Sequence, residues 1–186
     1  MTIPGQWKDL TPDEKRARTL EVADELFARE GVDVAMPVLA DKIGVGVGSI
    51  YRQVGTKDDV IAALIVKRSR ILRERFLASL EQPDAWAALV FATHETVDDC
   101  IGDALSQSAW DVAASAYEEV RIAREEATDA LTRMVERARA AGALRADATH
   151  EDLRLIFTSL RELAGIGPAA AHRLADLVLR GIHRET

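Results

Sequence analysis

The sequence predicts an all-α protein of about nine helices: a three-helix N-terminal headpiece, a connecting helix, and a larger helical body. Three observations predict it. The 186-residue chain is 48% apolar and only 5% aromatic, and it is dominated by Ala, Leu, Glu and Arg, which favour helix. Apolar residues recur at three- and four-residue spacing, and no run alternates as a strand would. Residues that start and stop helices punctuate the chain at helical intervals.

The first helix starts at Thr11-Pro12-Asp13-Glu14, with Thr as N-cap, Pro at the first helical position and Glu three residues on to close a capping box. It runs to about Glu30, where Gly31 supplies a left-handed stop. Leu20, Ala23, Leu26 and Phe27 form its buried stripe, leaving Arg16, Arg18 and Arg29 for solvent or phosphate. A short helix over Pro37–Ile43, a turn at Gly44-Val45 and a second short helix over Val47–Gln53 come next. Gly55-Thr56 then caps a long helix from Lys57 to about Leu80. Val38, Leu39, Ile43, Val45, Ile50 and Val54 fall where two steeply crossed short helices would bury them against the first, and the small Ala40 allows close approach.

Pro83 disfavours helix at Gln82 and Asp84 can cap the next helix, which places a domain boundary just before Glu81. The expected division is 10–57 for the headpiece, 58–80 for the connecting helix and 84–186 for the body. In the body, helices are expected at about 84–100, 103–115, 117–141, 150–164 and 168–184, with Gly102, Gly142, Gly165, Gly167 and Pro168 as punctuation. Asp147 and Thr149-His150-Glu151-Asp152 read as a further capping signal.

A net charge of −7 argues against a nucleic-acid partner until it is split along the chain. Residues 1–80 carry 13 Lys+Arg against 12 Asp+Glu, whereas residues 81–186 carry 11 against 19. All five lysines lie in the first part, so cations able to meet phosphate are concentrated in the headpiece. Cys100, the single cysteine, rules out an intrachain disulfide and any zinc site built on several thiolates. With no apolar run long enough to span a bilayer and no signal-like start, a reducing cytoplasm is the expected location.

The informative segment is Ile43-Gly44-Val45-Gly46-Val47-Gly48-Ser49-Ile50-Tyr51-Arg52-Gln53-Val54-Gly55-Thr56-Lys57. A helix that enters a DNA groove must be short and unobstructed, and glycines at 44, 46 and 48 allow close backbone approach. Ser49, Tyr51, Arg52 and Gln53 can hydrogen-bond phosphates or base edges. Lys57 opens the next helix, where its charge and the free backbone N–H groups together make an anion site.

From about Arg18 to Leu64 the chain resembles the headpiece of the TetR family of ligand-responsive regulators. Ala23 to Gly31 (ADELFAREG) matches that family's first-helix signature, and GVGVGSIYRQVGTKDDV matches its turn, recognition helix and start of helix four. The resemblance implies a homodimeric repressor that binds palindromic operator DNA. It also implies that Val47, Ser49, Tyr51, Arg52 and Gln53 face DNA and that Lys57 contacts phosphate. Three positions depart from the family pattern: Gly46 stands at the usual serine, Val54 at the usual aromatic residue and Met36 at a usual hydroxyl residue. Glycine is an acceptable N-cap, so the departures cost phosphate-contacting hydroxyls rather than the fold. Binding then leans on Arg18, Lys42 and Lys57 and is steeply salt dependent.

Segments 150–164 and 168–184 present Leu153, Ile156, Phe157, Leu160 and Leu163, and Leu174, Leu177, Val178, Leu179 and Ile182. Two such helices per subunit would make a four-helix dimer seam, although an internal core face accounts for the same pattern. The resemblance favours the seam, because two headpieces must sit about one DNA turn, roughly 34 Å, apart to read a palindrome. A small-molecule effector is expected among residues 84–141 and the end of helix four, with Phe76, Trp86, Phe91, Trp110, Tyr117, Leu131 and Met134 as the bulky candidates. Its binding would shift the population toward a headpiece spacing that no longer fits successive major grooves.

Two rival readings remain. His94 and Asp98, one helical turn apart, could hold a divalent metal for an enzyme, though a solvated helix face explains them as well. There is no Ser/His/Asp grouping, no phosphate loop and no cysteine pair, and the Gly44–Gly48 run has Ser49 where a dinucleotide fingerprint needs glycine. No cofactor is expected. The second rival is a helical adaptor whose DNA face has lapsed.

Overall fold

A computed structural model of the chain describes residues 7–101, 103–105, 117–162 and 167–184. Among these residues, eight α-helices are present: α1 (Pro12–Glu30), α2 (Met36–Ile43), α3 (Val47–Val54), α4 (Lys57–Ser79), α5 (Ala85–Cys100), α6 (Glu118–Ala140), α7 (His150–Glu162) and α8 (Pro168–Ile182). Each lies within a few residues of its expected span. Most of the helix expected at 103–115, and Trp110 with it, falls outside the described residues.

The chain divides into two compact units. One comprises residues 1–65 and 103–117, the other residues 66–102 and 118–186. The first is the headpiece, in which α1 packs on α2 and α3, and α2 packs on α3. The capping box forms as expected: the Thr11 hydroxyl accepts from the Glu14 N–H, and the Glu14 carboxylate accepts from the Thr11 N–H at 2.7 Å. Ala23, Leu26, Phe27, Leu39, Ala40, Ile50 and Val54 are buried, while Ile43 and Val45 are half-buried. Val38 is a correction. At 43% exposure it lies on the outward side of α2, one residue round from the buried Leu39. Thr19 takes an unexpected buried place, affordable because its hydroxyl donates to the Lys15 carbonyl one turn back. Gly31 stops α1 with a positive φ of 81° but an extended ψ of 179°, whereas Gly44 adopts the left-handed conformation proper.

In the second unit α5 is central, packed against α6, α7 and α8, and α7 also packs on α8. Its core includes Phe76, Leu89, Val97, Leu131, Met134, Leu153, Ile156, Leu179 and Ile182. Asp84 caps α5 as expected, its carboxylate accepting from the N–H groups of Trp86 and Ala87 at 2.9 and 3.0 Å. Asp152 accepts from the Thr149 N–H at 2.7 Å to open α7, and Asp147 pairs with Arg145. Arg137 of α6 donates to the Ser79 and Gln82 carbonyls, which ties α6 to the end of α4 and the turn that follows it. An isolated antiparallel bridge, Leu144 to His183, returns the end of the chain to the α6–α7 connection.

Candidate nucleic-acid interface

The geometry of α3 follows from two residues. Ile50 and Val54, one turn apart, are 0% and 3% exposed, which pins one face of this eight-residue helix to the headpiece core. Gly48 and Arg52, also one turn apart, fall on the far side and are exposed. Val47 and Tyr51 are exposed too, at 37% and 48%, while Ser49 and Gln53 are half-buried flanks. The Arg52 guanidinium donates to the Ser49 hydroxyl at 3.1 Å, so these two polar groups occupy one patch. A side chain at Gly46 or Gly48 would meet nothing within 4 Å. Both glycines therefore front open space rather than neighbouring protein.

Neither α2 nor α3 has a side-chain N-cap: Ala35 and Gly46 stand there, and neither side chain bonds the first turn. In the first turn of α3 the Ser49 N–H donates to the Gly46 carbonyl at 2.8 Å, which leaves Val47 and Gly48 without a side-chain acceptor at the cap. Lys42 and Arg18 are exposed, and Lys57 is half-buried at the start of α4. The anion site expected at Lys57 is narrower than the sequence suggests. A second capping box occupies that helix start: Asp59 accepts from the Thr56 N–H and hydroxyl, both at 2.7 Å, and the Thr56 hydroxyl accepts from the Asp59 N–H at 3.2 Å.

Three supporting contacts differ from the sequence expectation. Arg16, expected to be free, donates to the Gln53 carbonyl at 3.1 Å and ties α1 to the last turn of α3. Arg29 pairs with neighbouring Glu30. Tyr117, expected beside an effector, belongs to the headpiece unit, where its hydroxyl donates to Asp59 at 2.9 Å. Hydrogen bonds from the Thr56 hydroxyl, the Thr56 N–H and Tyr117 hold the Asp59 carboxyl below its ordinary value, and the same carboxylate raises the Tyr117 phenol. Gly55 completes the corner. With φ at 79°, it passes so close that a Cβ there would lie 2.4 Å from the Asp59 Oδ2.

The remaining effector candidates lie in the second unit. Phe76, Leu131 and Met134 are core residues at 3% exposure each, and Trp86 is half-buried with its ring 4.2 Å from that of His183. Phe91 is 65% exposed. Of the rival metal pair, neither His94 nor Asp98 bonds the other. Each bonds His172 instead. Among the described residues no three His, Cys, Asp or Glu side chains are grouped to hold a metal ion, and no helix is long and apolar enough to cross a membrane.

Known proteins match both parts of the chain. Residues 20–64 match the family model of bacterial regulatory proteins of the TetR family, and residues 84–184 match that of the SbtR-like transcriptional regulator C-terminal domain. A TetR transcriptional regulator from Streptomyces coelicolor is similar at 26% identity and a TM-score of 0.70, covering 92% of this chain and 99% of that one. A TetR transcription regulatory protein from Mycobacterium vanbaalenii is similar at 25% identity and a TM-score of 0.62, covering 93% and 97%. The TetR family regulator PfmR from Thermus thermophilus, at 20% identity, shares the fold with a TM-score of 0.70 over 90% of this chain and 100% of its own. No curated protein matches. With the first model on the helix-turn-helix and the second on more than half of its length, the chain belongs to the TetR family of bacterial regulatory proteins and is a DNA-binding transcriptional regulator.

Proposed function

We propose that the protein is a cytoplasmic homodimeric repressor, not a catalyst, that lays α3 in the major groove of a palindromic operator and is released by a small molecule. The observation that carries this reading is the division of α3 into an anchored face, Ile50 and Val54, and a bare one, Gly48 and Arg52 flanked by Val47, Ser49, Tyr51 and Gln53. Base edges are met by Tyr51, Arg52, Ser49 and Gln53, with Val47 in apolar contact. Phosphates are met by Arg18, Lys42 and Lys57.

Dimerisation through residues 150–184 is supported by Leu155 of α7 and Leu177 of α8, which are 64% and 51% exposed although both helices bury other leucines. Leu174 and Val178 flank Leu177 and are half-buried. Leu153, Ile156, Leu179 and Ile182 serve the subunit's own core, and Leu163 lies outside the described residues. An effector with a hydrogen-bonding group is supported by Ser69 of α4. Its hydroxyl is fully buried and has no partner among the described residues, a deficit of about 1–3 kcal/mol that a ligand's polar atom would remove. Ser69 stands one and two turns before Leu72 and Phe76 on the same side of α4.

Genome-wide recovery of fragments bound to the protein tests the reading, and genes beside the operator would name the effector's chemical class. The double variant Tyr51→Ala, Lys57→Ala is expected to abolish operator retention while leaving the dimer folded. Each lost phosphate contact lowers the slope of log affinity against log salt by about 0.9, so the dimer loses about 1.8. Unchanged affinity, or no recovered operator, would turn the assignment toward a helical adaptor.

A further inference from the structure

A chain of four side chains joins α5 to α8. His94 Nδ1 faces His172 Nδ1 at 2.7 Å, His172 Nε2 meets Asp98 Oδ1 at 2.8 Å, and His94 Nε2 meets Asp176 Oδ1 at 3.1 Å. The ring centroids are 5.0 Å apart and the ring planes differ by 24°. Subtracting the 2.7 Å between facing nitrogens leaves 2.3 Å, which the two ring radii account for. The two nitrogens therefore lie on the line between the centroids, and the rings meet edge to edge, each lone-pair direction aimed at the other. That is the geometry of an N–H···N hydrogen bond. A metal with bonds of about 2.0–2.1 Å to each nitrogen would hold them farther apart unless its angle were sharply closed.

Three hydrogen bonds along this chain need three ring protons: one on each Nε2, donated to Asp98 and Asp176, and one shared between the two Nδ1 atoms. A neutral imidazole carries one proton and a charged one carries two, so three protons leave the pair with a single positive charge beside two carboxylates. A fourth proton, taken from water, puts N–H against N–H at 2.7 Å with no acceptor between them. Removing one instead sacrifices one of the three bonds. Histidine changes charge between about pH 5 and pH 8, and side-chain exposures of 26% and 32% give both rings access to water.

We propose that Asp98–His172–His94–Asp176 is a proton-gated latch between α5 and α8, closed while one proton is shared by the two Nδ1 atoms and opened by acid when each carries its own. The charged groups bonded to the pair are Asp98 on α5 and Asp176 on α8. On the packed elements, Asp99 pairs with Arg75 of α4, Glu126 of α6 with Arg73, Arg137 of α6 with the α4 end, and Asp152 and Arg154 of α7 with Thr149 and Glu151. Because α8 carries Leu177, opening the latch loosens the helix that presents the seam. This last step rests on the dimer seam proposed above.

The test is hydrogen–deuterium exchange of the full chain in the presence of a chelator, followed on α8 amides and corrected for intrinsic rates, with dimer fraction measured by sedimentation. Protection of α8 is expected to be greatest where the pair holds three ring protons and to fall about tenfold from that maximum as the pH is lowered to about 5.5. In H94Q the fall is expected to disappear, because a flipped amide can donate to a neutral His172 or accept from a charged one. H172Q serves as the reciprocal variant should H94Q fail to fold. A pH-independent α8 in the wild type, an equal fall in the glutamine variants, or a zinc-induced protection at neutral pH would overturn the proposal. A fall in α8 protection with unchanged dimer fraction upholds the latch and removes the seam.

Discussion

Gly48→Ala separates what the headpiece needs in order to fold from what it needs in order to bind. Gly48 is the second residue of α3, its φ is not positive, and an added Cβ would meet nothing within 4 Å. Within the protein alone the substitution has only benefits. Alanine in place of glycine stabilises a helix by roughly 0.5–1 kcal/mol, chiefly by narrowing the unfolded ensemble. At about 2–4 °C per kcal/mol for a chain of this size, the melting temperature should rise by roughly 1–4 °C. At the operator the sign reverses. A methyl group added where backbone should approach DNA is overpacking, which costs about 1–3 kcal/mol per site. Taking the lower bound at each of two half-sites gives about 2 kcal/mol, or roughly a 30-fold loss of affinity. No charge is removed, so the salt slope should be unchanged, in contrast to the double variant that removes Lys57. Thermal melts paired with fluorescence-anisotropy titrations across salt concentrations would measure both effects. A more stable variant with undiminished operator affinity would refute the placement of this surface in the groove.

Gly55→Ala should do the opposite to stability. Its φ of 79° and the 2.4 Å approach to Asp59 impose about 1–2 kcal/mol of backbone strain and about 1 kcal/mol for the displaced cap, so melting should fall by roughly 5–10 °C. The Asp59 carboxyl is held below its ordinary value, so its contribution is fully present above the unfolded value of about 3.9 and is lost as pH falls through the folded one. Asp59→Ala should flatten that acid limb in a denaturation series, and Tyr117→Phe should move it to higher pH; identical acid profiles for all three proteins would contradict the assignment. Leu155→Glu with Leu177→Glu should yield folded monomers by sedimentation with operator affinity lost, since each half-site then binds alone.

The features legible in the sequence are those written within four residues. The two N-terminal capping signals at Thr11 and Thr149, the Asp84 cap and the punctuation at Gly31, Gly44 and Gly55 each require a donor, an acceptor or a backbone angle supplied by near neighbours. They fix where helices begin and end, and periodicity then fixes which side of α3 is buried. The recognition helix could be read because both kinds of signal coincide there and because its motif matches a family pattern. What could not be read is long-range. Arg16 and Gln53 are 37 positions apart, Asp59 and Tyr117 are 58 apart, and His94 and His172 are 78 apart. Nothing in the spacing of such residues says that folding brings them within about 3 Å, the reach of a hydrogen bond.

Apolar periodicity meets a different limit in α7 and α8. Leu153, Leu155 and Ile156 are interchangeable as letters, yet the first and last are buried and the middle one is 64% exposed. The turn of about 100° per residue sets the relative directions of these side chains but not the absolute orientation of the helix, which is decided by what it packs against. In α8 the orientation is set by Ala171, Ala175 and Leu179, buried in the unit that α5 centres. Leu177, half a turn from Ala175 and Leu179, is then necessarily carried to the outside. A leucine pair forced outward on adjacent helices costs solubility unless a second surface covers it, and the surface most available to a self-associating regulator is its own copy. The same rotation places His172 and Asp176, one turn apart, against α5 at His94 and Asp98. The seating of α8 that exposes Leu177 is therefore also the seating that builds the polar chain against α5.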